Sequence, residues 1–313
     1  MWRVVGRRLL IAVPTMLVVC TFTFMLLQLV PGSPADFILG GKATSEQVEA
    51  INRSLGLDRP VLTQFFSWMG NLLTGNLGTS YTSGTPVTQA LAVALQPTVS
   101  LAIGSTIVSI VIGLGLGMFA AVRGGKVDGA IQTVSSLLMA VPNFWLAAIL
   151  VVVFALKIEL FPATGYTDFG DSPGAWIAGL VLPVVAIAAA ALAQLTLQAR
   201  SSVLDVLSKD FIRTLQAAGV PRRRILFKHV LRNSAIPVTT VAGLNFVFTL
   251  SGVVVVETIF NMPGMGTLML NAVTRHDLPV LQGAVIYFSL IVVVINLATD
   301  LLTAWLDPRV HVA

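Results

Sequence analysis

Charge is what this 313-residue chain has least of: Asp, Glu, Lys and Arg together make up 11% of it, against roughly 25% in a soluble domain. That shortage excludes an ordinary water-facing surface over most of the length. Cysteine is nearly absent too. Cys20 is the single thiol and lies inside an apolar run, which excludes a disulfide framework or a cysteine metal cluster and reads as a small buried hydrophobe. The three histidines, His229, His276 and His311, have no metal-ligand spacing. No Gly-rich stretch is followed by Lys-Ser or Lys-Thr, so the chain has no ATP-binding phosphate loop of its own. No carboxylate pair and no Ser/His/Asp grouping reads as catalytic, and no enzymatic activity is expected. Ionisable residues are missing from the middle of every apolar run, where a proton relay or an ion-coupled carrier would want them.

What is present is apolar. Hydrophobic residues are 56% of the chain, and mean hydropathy is +0.88. Six uncharged stretches, 9–30, 98–122, 130–156, 175–199, 235–256 and 278–299, are long enough to cross a bilayer, which takes about 20 residues. The first follows Arg3, Arg7 and Arg8 but is too long for a signal core. Pro31-Gly32-Ser33-Pro34 is a poor cleavage site, so it reads as a retained helix. The expected fold is all-α, an integral membrane protein with six transmembrane helices.

Net charge is +5. In a soluble protein that would raise nucleic acid as a partner; here the basic residues sit at span ends, and topology explains them. With the first residue inside, 14 of the 19 Lys and Arg fall on the cytoplasmic side and 5 (Lys42, Arg53, Arg59, Lys157, Arg275) outside. That bias places both termini in the cytoplasm of a cell whose plasma membrane holds the chain. Trp176 and Trp305 fall near the expected interfaces, as aromatic anchors do.

The segments between spans are unequal. Residues 31–97 form a long outer region. Ser45-Glu46-Gln47-Val48-Glu49-Ala50-Ile51 reads as a Ser- or Thr-capped helix start. The 64–73 stretch repeats a helical pattern through Phe65, Phe66, Trp68, Met69 and Leu72, and Gly75, Gly78 and Gly84 punctuate the residues after it. This is a small folded cap. The second outer piece, 157–174, is turn-rich, and a third holds Asn261-Met262-Pro263-Gly264-Met265-Gly266. Gly113 and Gly117 in span two have the spacing that lets helices approach closely. Pro142, Pro183 and Pro237 fall within spans three, four and five, where kinks serve either gating or the shape of the bundle. Glu257 and Asp300 stand at span ends and read as interfacial.

The most informative stretch is the basic segment 200–233. Ser208 or Asp210 can cap a short helix, in which Phe211, Ile212 and Leu215 share a face. Gly219 permits a turn closed to other residues, and Pro221 suits the first turn of a following helix. Ile225, Leu226 and Val230 continue the apolar stripe, with Arg222, Arg223, Arg224, Lys228 and Arg232 wet. Physics alone allows two readings, a positive-inside loop lying on anionic lipid and a docking surface for a protein.

Phe211-Ile212-Arg213-Thr214-Leu215-Gln216-Ala217-Ala218-Gly219, then nine residues, then His229-Val230-Leu231, resembles the cytoplasmic loop by which permeases of ATP-binding-cassette importers grip their ATPase. The usual Glu is Arg213 here and the usual Pro is Arg232, departures that favour the peptide/nickel branch. Leu55-Gly56-Leu57-Asp58-Arg59-Pro60, Gly75-Asn76-Leu77-Gly78-Thr79-Ser80, Thr85-Pro86-Val87, Glu257-Thr258-Ile259-Phe260, Pro263-Gly264-Met265-Gly266 and Asp307-Pro308-Arg309 extend the resemblance, in order, over nearly the whole chain. Asn76 replaces the usual Asp. The long outer region looks like the first, B-type permease of the pair.

The resemblance implies a type I ABC importer permease architecture: residues 1–30 as inner terminus and first helix, 31–97 as outer cap, 98–306 as permease core and 307–313 as inner tail. It implies a heterodimer with a second permease subunit, two cytoplasmic ATP-binding subunits and an extracytoplasmic substrate-binding protein. ATP and Mg would sit in the ATPase partners, and this chain would bind no cofactor. Phe211 to Gly219, Arg222 and Arg223 would form the coupling site, and dipeptides, longer peptides, nickel chelates and glutathione are the substrate classes. An ion-coupled carrier without an ATPase is the alternative. The charge bias sets one test: cysteines at Ser83 and Thr167 should react with an impermeant thiol reagent from outside, and those at Ser202 and Val127 should not. The reverse pattern would invert the topology.

Overall fold

The computed structural model describes residues 2–29, 34–39 and 44–306. The motifs at Pro31-Gly32-Ser33 and Asp307-Pro308-Arg309, Lys42 and the inner tail 307–313 lie outside the described residues. Helix accounts for most of the rest. The order is α1 (Trp2–Gln28), α2 (Pro34–Leu39), α3 (Ser45–Leu55), α4 (Val61–Leu73), α5 (Val87–Arg123), α6 (Gly125–Ala140) and α7 (Asn143–Leu150), which runs on as a π-helical turn, Val151–Lys157. Then come α8 (Pro173–Leu207), α9 (Asp210–Ala217), α10 (Arg222–Arg224), a second π turn (Ile225–Val230), α11 (Leu231–Ile259), α12 (Met265–Thr274) and α13 (Leu278–Leu306). Among the described residues, β pairing is limited to one bridge, Thr79 with Pro86. The preponderance of helix follows from composition: in hydrocarbon every backbone N–H and C=O must be satisfied within its own segment.

Among the described residues five helices are long and apolar enough to span a bilayer, and a sixth crossing exists if a bent pair is taken as one span. That pair is the third span, and its kink at Pro142 is a break. α6 and the helix Asn143–Lys157 meet at 99°. The cause is Pro142, whose ring disfavours helical geometry in the residue before it; Val141 is extended, with φ −84° and ψ 123°. Pro183 and Pro237 behave differently, since α8 and α11 run through them without a break.

The chain forms two compact units. One comprises residues 1–5, 98–262 and 294–313. Its centre is the alanine-rich α8, where Ala186, Ile187, Ala193, Leu195, Ala199 and Val203 are all buried. α6, α7 and α11 pack on it, and α5 comes into close contact with it at two glycines. A Cβ at Gly117 would stand 2.5 Å from the Thr196 carbonyl oxygen and 2.7 Å from the Ala199 Cβ, and one at Gly113 would stand 3.0 Å from the Leu195 Cβ. The spacing read in the sequence is thus a helix–helix seam.

The other unit comprises residues 6–97 and 263–293. α3 begins at Ser45, where the sequence places a Ser- or Thr-capped helix start, and the cap is Thr44: it accepts from the Gln47 N–H, and the Gln47 side chain accepts from the Thr44 N–H, closing a capping box. Phe65 and Trp68 of α4 pack on Phe24 of α1 at ring-centre distances of 5.3 and 5.6 Å. Cys20 is buried in the same core with Leu77, Leu91 and Met265. The segment that begins with Asn261-Met262-Pro263-Gly264 continues into α12, Met265–Thr274.

Outward-facing positions of the long helices are apolar: Leu10, Val13, Leu17, Phe22 and Leu26 of α1 and Leu290, Val294, Leu302 and Trp305 of α13 are exposed. Patches of this extent mark a surface that meets something other than water. Trp176 does not stand free, since its indole N–H donates to the Tyr166 hydroxyl at 3.1 Å. Ser202 is buried, so a cysteine there is silent from either side, and exposed Val127 carries the inner half of the labelling test. The seam supplies its own: Gly117→Ala should cost about 1–3 kcal/mol by overpacking, read as a lower melting temperature of the purified protein. Gly115→Ala, with nothing within 4 Å of its Cβ, should leave it unchanged or raise it slightly. Equal melting of both variants would dissolve the seam.

Candidate functional site

The basic segment is more helical than a loop. α8 continues to Leu207, two residues intervene, α9 forms, and after a turn at residues 218–221 a helix resumes at Arg222 and runs to Ile259. Neither expected cap forms. Ser208 donates its hydroxyl to the Asp205 carbonyl at 2.9 Å, and Asp210 is the first helical residue, behind Lys209, which makes no side-chain cap. Asp210 instead favours the positive helix end and approaches Arg213 at 3.9 Å, both largely exposed, a pair that contributes little.

The end of α9 is set by Gly219. Its φ is +70°, the left-handed region that side chains disfavour. The Gly219 N–H donates to the Gln216 carbonyl at 3.0 Å and the Val220 N–H to the Leu215 carbonyl at 3.1 Å. These two bonds are the Schellman arrangement, and Val220 and Leu215 complete it by packing on one core. Pro221 lies just before the first helical residue, Arg222.

The shared face of Phe211, Ile212 and Leu215 is a correction. Ile212 is 1% exposed and sits with Val203, Val206, Ile225 and Val230 in a core against which Leu215, Val220 and Leu226 also pack. Phe211 points away, 38% exposed. The inner face of α9 therefore belongs to the protein's own fold. Phe211, Arg213, Thr214, Gln216, Ala217, Ala218 and Gly219 remain at the surface, with Arg222 and Arg223 beyond the turn. Phe211, Thr214 and Ala218, at spacings of three and four, make one outward stripe.

Two charged groups have no local signal in sequence, or a misleading one. Asp128 of α6 accepts a two-pronged pair from Arg200 of α8, the Nη2–Oδ2 distance being 2.6 Å. Both side chains are mostly buried, and the planar fork of Arg suits a carboxylate. Glu257 is no interfacial residue: it is fully buried and accepts from the Thr98 hydroxyl at 2.5 Å. The turn after α11 folds over it, with Asn261 at φ +46° and the Met262 N–H returning to the Glu257 carbonyl at 2.8 Å. A residue near the end of a helix looks wet in sequence, and only the fold-back encloses it. Among the described residues no cluster of His, Cys, Asp and Glu could hold a metal.

The fold and its apolar exterior define a multi-pass helical membrane protein. Residues 113–312 match the family described as binding-protein-dependent transport system inner membrane component, and residues 1–102 match the N-terminal membrane component of the same systems. The chain belongs to this family. It is 39% identical, over 97% of its length and 98% of the relative's, to a probable peptide ABC transporter permease protein of Sinorhizobium fredii. It is 37% identical over 97% of both chains to a glutathione transport system permease protein of Pectobacterium atrosepticum. It is 36% identical to an oligopeptide transport system permease protein of Bacillus subtilis, over 97% of this chain and 98% of that one. The fold is shared with a solved inward-facing structure of the MetNI methionine ABC transporter, at TM-score 0.57 and 14% identity, covering 70% of this chain and 97% of that one.

The turn makes its own prediction. A Cβ at Gly219 meets nothing within 4 Å, so any cost of substitution is in the backbone. Gly219→Ala should destabilise by about 1–2 kcal/mol, seen as a lower melting temperature, and Gly219→Asn by less. An Ala variant that melts with the wild type would show that the turn opens freely.

Proposed function

We propose that this chain is the B-type permease of an ATP-driven peptide importer. In this reading it forms a heterodimer with a second permease subunit and lines the path for peptides handed over by an extracytoplasmic binding protein. Two cytoplasmic ATPase subunits, which carry the ATP and Mg, drive it, and both termini lie in the cytoplasm. The names of the relatives support the peptide class, and glutathione, itself a small peptide, falls within it. The charge bias supports the orientation.

One observation carries the coupling role: α9 is anchored on its inner face by the Ile212 core and free on the outer face, with its angle fixed by Gly219. A connector lying on lipid needs no such rigidity. A short helix that must fit a partner's groove does, because its anchors have to land together. Phe211 is the apolar anchor, Thr214 and Ala218 give a flat stripe beside it, and Arg222 and Arg223 add charge at the rim. Closure of the ATPases on ATP would then pull α9 and swing the paired permeases between inward- and outward-open states.

Leu215 is half-buried in the chain's own core, so a charge there would disturb folding first. Phe211→Asp is the cleaner probe. Truncating or charging a buried aromatic anchor costs on the order of 2 kcal/mol or more at an interface. ATPase co-purification should fall by tenfold or more while the melting temperature of the isolated permease stays unchanged. Charge reversal at Arg223 should cost under about 1 kcal/mol. Full assembly and full coupling of hydrolysis to uptake in Phe211→Asp would return this segment to the status of a lipid-facing connector.

A further inference from the structure

A groove of about 410 Å³ runs between α5, α11 and α13, wholly within the unit of residues 1–5, 98–262 and 294–313. Its floor lies where α11 meets α13: a Cβ at Gly243 would stand 2.6 Å from the Thr299 side chain. Ile103, Ile107 and Leu302 line it and are exposed, so it opens sideways on the apolar flank of the helices. Spread along the roughly 17 Å that residues 235 to 246 span at 1.5 Å per residue, its volume leaves a slot about 5 Å across. A helix with its side chains is roughly 10–12 Å wide. A partner's helix does not fit inside such a slot, and a hydrocarbon chain does.

The walls ask for nothing polar. Thr106, Thr239 and Thr299 line the groove, and each donates its hydroxyl to its own helix four residues back, at 2.7, 2.8 and 2.8 Å. The other lining residues are all apolar. α5 carries no carboxylate, and neither Glu257 of α11 nor Asp300 of α13 lines the groove. The mouth is different. On α11 the lining stripe runs through Ala235, Thr239, Ala242 and Phe246, and Arg232 continues it, three residues before Ala235 and seven before Thr239. On α13 it runs through Ile295, Ala298 and Leu302, and Trp305 continues it, three residues after Leu302 and seven after Ala298. Both side chains are exposed, and Arg232 has no carboxylate partner among the described residues. α11 and α13 are successive crossings of opposite sense, so the two residues stand at the same end. Measured from the Gly243–Thr299 contact at 1.5 Å per residue, Trp305 lies roughly 9 Å and Arg232 roughly 17 Å along. Apolar slot, aromatic ring and guanidinium follow one another in the order of chain, interface and phosphate in a lipid.

We propose that this groove holds one acyl chain of an anionic phospholipid of the phosphatidylglycerol kind, whose phosphate meets Arg232. The planar fork of Arg suits a phosphate, and Trp305 sits beside it at the level where aromatic rings gather in a bilayer. Complementarity picks this occupant from others. A soluble anion would leave the apolar slot empty, a bare hydrocarbon would leave Arg232 unused, and a zwitterionic lipid brings an ammonium that offsets the attraction between phosphate and Arg. The site goes beyond the proposed transport role and does not depend on it, because it is read from three helices and one basic residue, without ATP, ATPase or uptake.

The experiment uses the full chain, purified in a neutral detergent and given an equimolar mixture of phosphatidylglycerol and phosphatidylcholine with the same acyl chains. The lipids that stay bound are counted by native mass spectrometry. One retained lipid per chain is expected, with phosphatidylglycerol enriched roughly fivefold, the gain that one basic contact gives. Arg232→Gln should remove the enrichment and leave one lipid bound. Ala298→Phe puts a ring into the slot; because Ala298 is exposed, this variant should melt with the wild type and retain neither lipid. If Ala298→Phe fails to fold, the Arg232→Gln comparison decides by itself. Equal retention of the two lipids by the wild type, enrichment that survives Arg232→Gln, or undiminished lipid in a folded Ala298→Phe would each overturn the site. Loss of a second permease from the assembled complex in Ala298→Phe, with lipid retained, would make the groove a seat for a protein and overturn it as well. None of these results bears on ATPase coupling, which is tested through Phe211.

Discussion

The constraint on which the membrane core depends is backbone-to-backbone approach against α8. Lipid supplies no hydrophobic drive between helices, so association in a bilayer comes from close packing. Gly113 and Gly117 bring α5 down until the next atoms met are the Leu195 Cβ and the Thr196 carbonyl oxygen, and the alanines of α8 keep the opposite surface low. Each small residue gives up its own burial energy so that its neighbours can touch along their length. α8 thereby becomes a helix packed from several sides, and its inner end carries the buried Val203 and Val206 on which α9 rests. The geometry of the proposed coupling site thus rests on a seam that ends about one helical turn away.

The unit of residues 6–97 and 263–293 solves a different problem with a different device. Beside its apolar core, a single carboxylate joins segments far apart in the chain. Asp277, almost wholly buried, gathers four donors from Ser80, Tyr81 and Thr82, nearly two hundred residues away in sequence. A carboxylate so supplied offsets its own desolvation through charge-assisted hydrogen bonds. Here a polar keystone does the work that glycine and alanine do in the bundle.

How much of this is legible in the sequence divides by range. Periodic or local signals carry through: the long apolar runs, the Gly113/Gly117 spacing, the turn at Gly219, the burial of Cys20 and the helical cap at 64–73. Each is decided within a few residues. What is lost depends on partners far along the chain. A helix of eight residues has two faces that sequence cannot label, so Ile212 reads as outward with Phe211 until the ends of α8 and α11 close over it. Glu257 looks wet because nothing local says that the 258–262 turn folds back or that Thr98 donates to it. Pro142 is visible, but a kink and a 99° break share one signal, and the extended Val141 decides between them. Asp277 carries no motif, because its meaning lies wholly in the donors that surround it.

Anchoring α9 by its inner face has a mechanical consequence for the proposed coupling. The helix is joined to α8 through Ser208 and Lys209 and to the Arg222–Ile259 helix through the turn at Gly219, and its core includes residues from both. A partner that moved Phe211 and Thr214 would therefore carry the ends of two membrane helices with it, since close-packed cores transmit displacement and do not absorb it. Beyond the turn the helix is not uniform: Ile225–Val230 is π-helical, a wider winding that appears mostly at functional sites. It lies between the surface that a partner would grip and the apolar part of α11. A stiff handle followed by one compliant turn converts a push at the surface into a change of helix direction, which is the motion that alternating access requires. A plain lipid-facing loop would need neither the buried Ile212 nor the left-handed Gly219, and the presence of both in one short segment is the physical case for reading it as a joint.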